Sequence, residues 1–107
     1  MRPTLLPGDR LWVDLGAYRS APPAPGEIVV LVDPGGPERW LVKRIRSVEG
    51  GAAFVVGDAP GTSRDSRSFG TVPLDRLVGR VVACYAPPAR RRALFPEDGN
   101  RIKSMWE

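Results

Sequence analysis

The chain has 107 residues, is 42% hydrophobic, and carries 16 basic against 12 acidic residues for a net charge of +4, with no His. That length allows one small domain, while the missing His and the lone Cys84 exclude His-based triads, His/Cys zinc sites and an internal disulfide. There is no apolar run of about eighteen residues and no basic-then-apolar start, so neither a membrane span nor a signal peptide is expected.

Twelve Gly and twelve Pro predict many turns and disfavour long helices. Residues 10–14 alternate, with Leu11 and Val13 on one face, and read as a first strand. The opening, Met1-Arg2-Pro3-Thr4-Leu5-Leu6-Pro7-Gly8-Asp9, leads into it through two prolines and a Pro-Gly turn. Residues 17–26 read as a Pro-rich loop. Glu27 to Val32 is a continuous β-branched run, as in a strand buried on both faces. After the turn at 33–37, Arg39 to Val48 alternates, and Ala52 to Val56 answers it across Glu49-Gly50-Gly51 as a hairpin. A polar loop spans Gly57 to Arg67, then a short extended piece surrounds Phe69 to Val72. Pro73 to Leu77 can form one helical turn, and Val78 to Tyr85 is the last strand. The fold expected is all-β, a small coiled sheet or partly open barrel with at most one short helical turn. Residues 1–86 form the domain, and 87–107 a basic irregular tail. Arg90-Arg91-Arg92 is the nearest approach to a basic patch and reads as part of that solvated tail, so no nucleic-acid partner is expected.

Two places concentrate chemistry. On the strand from Arg39, period-two geometry puts Leu41, Lys43 and Ile45 on one face. Burial there would favour the neutral amine, and an amine freed of its usual pKa near about 10.4 can act as a base. The other reading is a Lys whose stem covers apolar surface while its head reaches water. Arg dominates the basic residues, with only Lys43 and Lys103 as Lys, and Arg cannot serve as a base. The loop 57–67 offers hydroxyls at Thr62, Ser63 and Ser66, with Asp65 two residues from Arg67. It can orient a base while the Asp–Arg pair stiffens the turn, or it can be an ordinary solvated turn. Its glycines are wrongly spaced for a phosphate cradle.

Taken together and in order, these segments resemble the S26 serine peptidases, the signal peptidase I family. That family has a Ser-Met-x-Pro-Thr-Leu-x-x-Gly-Asp box, a Pro-Gly-Asp-Ile-Val-Val-like strand, a Lys-Arg box ending in Gly, and a Gly-Asp…Ser-x-Asp-Ser-Arg box leading to Val-Pro and Val-Gly. The matches are Met1-Arg2-Pro3-Thr4-Leu5 through Gly8-Asp9, Pro25-Gly26-Glu27-Ile28-Val29-Val30, Val42-Lys43-Arg44-Ile45 to Gly50, and Gly57-Asp58 with Ser63 to Pro73 and Val78-Gly79. They cover residues 1 to about 82.

The resemblance implies a fold of the signal peptidase I and repressor-protease type and a Ser–Lys endopeptidase needing no cofactor. In it Lys43 is the general base, Ser63 orients its amine, and Asp65, Ser66 and Arg67 support the loop. Met1, Leu5, Leu41 and Val42 line the pocket for small substrate side chains. The partner implied is an extended segment of a pre- or pro-protein, bound as an added strand and cleaved to remove a signal peptide or propeptide. The family's Ser immediately precedes the Met that is residue 1 here, so the chain as written is expected to lack the nucleophile and to be inactive. A cytoplasmic or cytoplasmic-membrane-associated location follows, any membrane contact coming from an anchor upstream. The compact form also looks like the nickel-type superoxide dismutase maturation proteases. The alternatives are a self-cleaving repressor-type protease domain and a non-catalytic β-domain that binds peptide or nucleic acid.

Overall fold

The computed structural model describes residues 4–5, 8–58, 65–90, 92–94 and 102–106. Its strands are β1 (Arg10–Asp14), β2 (Ile28–Asp33), β3 (Gly36–Glu49), β4 (Ala52–Val56), β5 (Val72–Pro73), β6 (Leu77–Ala86), β7 (Arg92–Ala93) and β8 (Ile102–Trp106). They make one antiparallel sheet in the order β5-β4-β3-β2-β6-β1-β8, with β7 attached to β6. The sheet is open, as an all-β coiled sheet requires.

Strand β6 is the spine. Its first residues pair with β2 (Val29↔Arg80, Val30↔Gly79), and from Arg80 onward it pairs with β1 on the other edge. Register shifts interrupt the β1–β6, β2–β6 and β3–β4 ladders. Such bulges sharpen the local twist, so the sheet coils and buries apolar residues on both faces. Leu5, Leu11, Val13, Ile28, Val30, Val42, Val81 and Cys84 form one core cluster. Val29, Leu31, Ile45, Ala53, Val55 and Val72 form the other. Alternate residues of β2 thus feed both clusters, which is why its sequence is an unbroken apolar run.

Two glycine sites explain the geometry. Gly50 and Gly51, with φ of 57° and 78°, close the β3–β4 hairpin in the doubly left-handed turn that matches strand twist. Gly79 lets β6 approach β1: a Cβ there would lie 2.6 Å from the Asp14 carbonyl oxygen and 2.9 Å from Val13 Cγ1. Because the first contact is backbone, relief requires moving a strand. Gly79→Ala is therefore expected to cost about 2–3 kcal/mol and lower Tm by roughly 10 °C in thermal denaturation. A change below about 0.5 kcal/mol would mean β1 yields freely.

Several expectations need correction. The single helical turn foreseen at 73–77 is the 3₁₀ turn Leu74–Arg76, but short helices also form at α1 (Ala17–Ser20), α2 (Ser66–Phe69) and a 3₁₀ turn at Pro88–Arg90. Tertiary contacts create α1 within the Pro-rich segment. Asp14 Oδ1 accepts from Gly16 N–H, and Tyr18 donates to Glu27, which Arg80 also meets. Burial, then the Glu27 carboxylate, push the Tyr18 phenol well above its ordinary value. Residues 66–69, where the polar loop was expected to run into the extended piece at Phe69, are helical because Asp65 caps them. Nor are residues 87–107 irregular throughout: β7 pairs with β6, and β8 pairs with β1 along its whole length. Among the described residues no helix is long and apolar enough to cross a membrane.

Candidate active site

Lys43 sits on β3 between Leu41 and Ile45, with Val29 as its cross-strand partner. It is 4% exposed, and Ile45 only 1%. Leu41 is partly buried against the same cluster that holds Val29 and Ile45. A Lys that merely covers apolar surface and sends its head into water does not fit so low an exposure.

The edges of β3 differ at this point. On one side β2 pairs continuously from Ile28↔Arg44 to Leu31↔Leu41 and beyond. On the other, β4 begins only at Arg44↔Val56. Among the described residues, then, the β3 edge from Lys43 back towards the β2–β3 turn has no strand beside it.

The end of β4 carries the second group. Strand β5 pairs with Ala52 and Ala53 only, so edge N–H groups further along β4 need other acceptors. Ser66 Oγ accepts from Val55 N–H at 2.8 Å, and Asp65 Oδ2 accepts from Gly57 N–H at 2.9 Å. Asp65 also caps α2 by accepting from Arg67 N–H at 2.9 Å, and is ion-paired to Arg67 Nη2 at 2.5 Å. The Arg67 guanidinium, and then these backbone donors, hold the Asp65 carboxyl well below the usual carboxylate range although burial opposes it. Ser66 and Asp65 are buried, whereas Arg67 closes the pair from the solvent side.

Beside this stands a third group that the sequence reading gave no role. Arg44 grips Asp58 with two bonds of 2.8 Å, Nε to Oδ1 and Nη2 to Oδ2. Asp58 also accepts from the Thr4 hydroxyl. Its carboxyl is held low chiefly by Arg44, with Thr4 adding to the effect. The Thr4 carbonyl in turn accepts from Arg90 and Arg92, and Arg90 Nε donates to the buried Asp9 at 2.7 Å. The solvated tail expected at residues 90–92 is thus corrected: Arg90 and Arg92 turn inward onto the chain's first residues. Asp9, Arg44 and Asp58 stood inside the quoted boxes, but nothing in the spacing marked their partners.

Ser63 and Met1 lie outside the described residues. Ser63 belongs to the stretch 59–64, whose flanks are fixed by Asp58 on Arg44 and by Asp65 on Gly57. Of the expected pocket residues, Leu5 and Val42 are buried together in the first cluster. Leu41 packs against the second, on the opposite face of the sheet. Lys43 thus shares a face of β3 with Leu41; Leu5 and Val42 lie together on the other face, and the Asp65–Arg67 turn is fixed at the end of β4.

The family model described as "Signal peptidase, peptidase S26" matches residues 1–51 and 45–86. Mitochondrial ATP-independent inner membrane protease subunit 1b of Arabidopsis thaliana is 35% identical, over 77% of this chain and 62% of its own length. Mitochondrial inner membrane protease subunit 2 of Mus musculus is 32% identical, over 88% of this chain and 66% of its own. The Homo sapiens protein of that name gives the same identity and coverage. The chain thus spans about two thirds or less of these relatives. No solved structure matches.

Proposed function

Because this chain belongs to the peptidase S26 family of signal peptidases, we propose that it is the Lys-bearing part of a Ser–Lys endopeptidase that removes a signal peptide or propeptide after small residues. Lys43 acts as general base towards a Ser directly ahead of Met1. The Ser Oγ attacks the scissile carbonyl as its proton passes to the Lys43 amine. The resulting ammonium gives that proton to the departing amine, and water then hydrolyses the acyl-enzyme. A pairing of Ser with Lys suits a chain without His.

The observation that carries this reading is the 4% exposure of Lys43, where β3 leaves its pairing with β4 and, among the described residues, has no strand beside that edge. An extended peptide added to that edge runs towards the amine, its backbone supplying affinity and its small side chains selectivity. The Arg44–Asp58–Thr4 chain supports the same reading, since it ties Thr4 to β3 at the residue next to Lys43.

The test uses the chain extended by one Ser directly ahead of Met1, assayed on peptides with Ala before the scissile bond. Cleavage is expected. Ser63→Ala in that background is expected to lower kcat by about 10–100-fold with KM little changed, since it disturbs the orientation of the base rather than substrate binding. An effect on KM alone would remove Ser63 from the site. No cleavage by a folded Ser-extended chain, together with salt-sensitive binding to nucleic acid, would favour the non-catalytic β-domain instead.

A further inference from the structure

Thr4 is held at its hydroxyl and its carbonyl by two separated parts of the chain. Its hydroxyl donates to Asp58, beyond β4. Its carbonyl accepts from Arg90 Nη2 at 3.1 Å and from Arg92 Nη2. Five residues on, Asp9 is 1% exposed and accepts from Arg90 Nε at 2.7 Å. One guanidinium thus bridges Thr4 and Asp9 of the opening segment, a two-point grip that suits the planar Arg fork and not a Lys ammonium.

The two arginines are themselves mounted on the sheet. Arg90 ends the 3₁₀ turn Pro88–Arg90, closed by its own N–H on the Pro87 carbonyl at 2.9 Å. Arg92 lies on β7, opposite Cys84 of β6, and its Nη1 donates to the Arg90 carbonyl at 2.9 Å. Two residues on, Leu94 N–H donates to the Val82 carbonyl at 2.7 Å and continues the attachment to β6. The partners lie more than eighty positions apart in sequence, so local structure cannot account for the contact.

Burial of Leu5 already ties the segment to the core. What the arginines add is control over the position and direction of the backbone at residue 4. A residue directly ahead of Met1 is four positions away, a lever of roughly 13 Å if extended. An error of about 1 Å in the placement of a reacting group costs on the order of a hundredfold in rate. Resting on the function proposed above, we infer that Arg90 and Arg92 are positioning residues: they aim the opening segment so that the nucleophile it leads to meets Lys43.

The test compares Arg90→Gln, Arg92→Gln and the milder Arg90→Lys in the Ser-extended chain. Hydrogen exchange at the Leu5, Gly8 and Asp9 amides is measured alongside peptide cleavage. Both Gln variants are expected to speed exchange at those amides by at least about tenfold while β2–β4 amides stay protected. They should also lower kcat by about 10–100-fold with KM within about threefold and the pH profile unmoved. Arg90→Lys should recover part of the loss, and it serves as the variant if Gln prevents folding. Unchanged exchange at Leu5, Gly8 and Asp9 overturns the grip itself, whether or not the chain is a peptidase. Faster exchange with kcat intact, or a loss confined to KM, overturns the positioning role. If the unsubstituted Ser-extended chain cleaves nothing, the functional proposal has failed and the exchange result alone decides whether the grip exists.

Discussion

Replacing Lys43 by Arg in the Ser-extended chain is expected to lower kcat by about 10²–10⁴-fold, the range a positioned general base supplies. The side chain stays basic and of similar length, but a guanidinium does not give up its proton, so no base remains. Lys43→Ala should be equally inactive. Stability separates the chemical explanation from a structural one. Lys43 is nearly sealed from water beside Val29 and Ile45, and Met keeps the length and apolar stem of its side chain while removing the amine. Lys43→Met is therefore expected to keep a cooperative thermal unfolding transition, showing that the chain still folds, while abolishing cleavage. Cleavage that survives Lys43→Arg would refute the dyad.

Asp65→Ala should give the largest loss of stability, about 3 kcal/mol at neutral pH, lowering Tm by more than about 10 °C. One carboxylate serves three donors: Gly57 N–H, the cap at Arg67 N–H, and the Arg67 guanidinium. Removing it strands a buried backbone donor, at about 1–3 kcal/mol, and removes a helix cap, at about 0.5–2 kcal/mol. The partly exposed Arg67 contributes less. The pH dependence has a definite sign. Asp65 is held below its ordinary value of 3.8 in the folded chain, so its ionised form contributes fully above that value. The contribution fades as pH falls from there towards the folded value. Urea unfolding at pH 7 and at pH 3 should thus show a gap between parent and Asp65→Asn that narrows on acidification. A gap that widens would mean Asp65 is not the stabilising anion.

The strands were legible because β-branched and alternating runs have few other uses. Ile28–Asp33 needed apolar residues on both sides, and that is how it is buried. The site's frame was legible where neighbours in sequence are neighbours in space, as with Asp65 and Arg67. What stayed hidden depends on long-range partners. Arg90 and Arg92 look like solvated charge until Asp9 and Thr4 are brought to them. Likewise β8 has no local signature strong enough to announce it, and takes its register from β1. The short helix at Ala17–Ser20 follows from Asp14 and Glu27 rather than from any helical periodicity.

The pairing of β1 with β6 and β8 imposes an order in time. Both neighbours of β1 come from the last third of the chain, so a growing polypeptide emerging from the ribosome keeps Arg10–Asp14 without a ladder partner for on the order of several seconds at ordinary elongation speeds. The opening segment, which waits for Arg90 and Arg92, acquires its shape later still. A domain assembled this way closes its opening segment only after residues 90–92 have left the ribosome, so that part of its architecture forms later than the β2–β4 ladders.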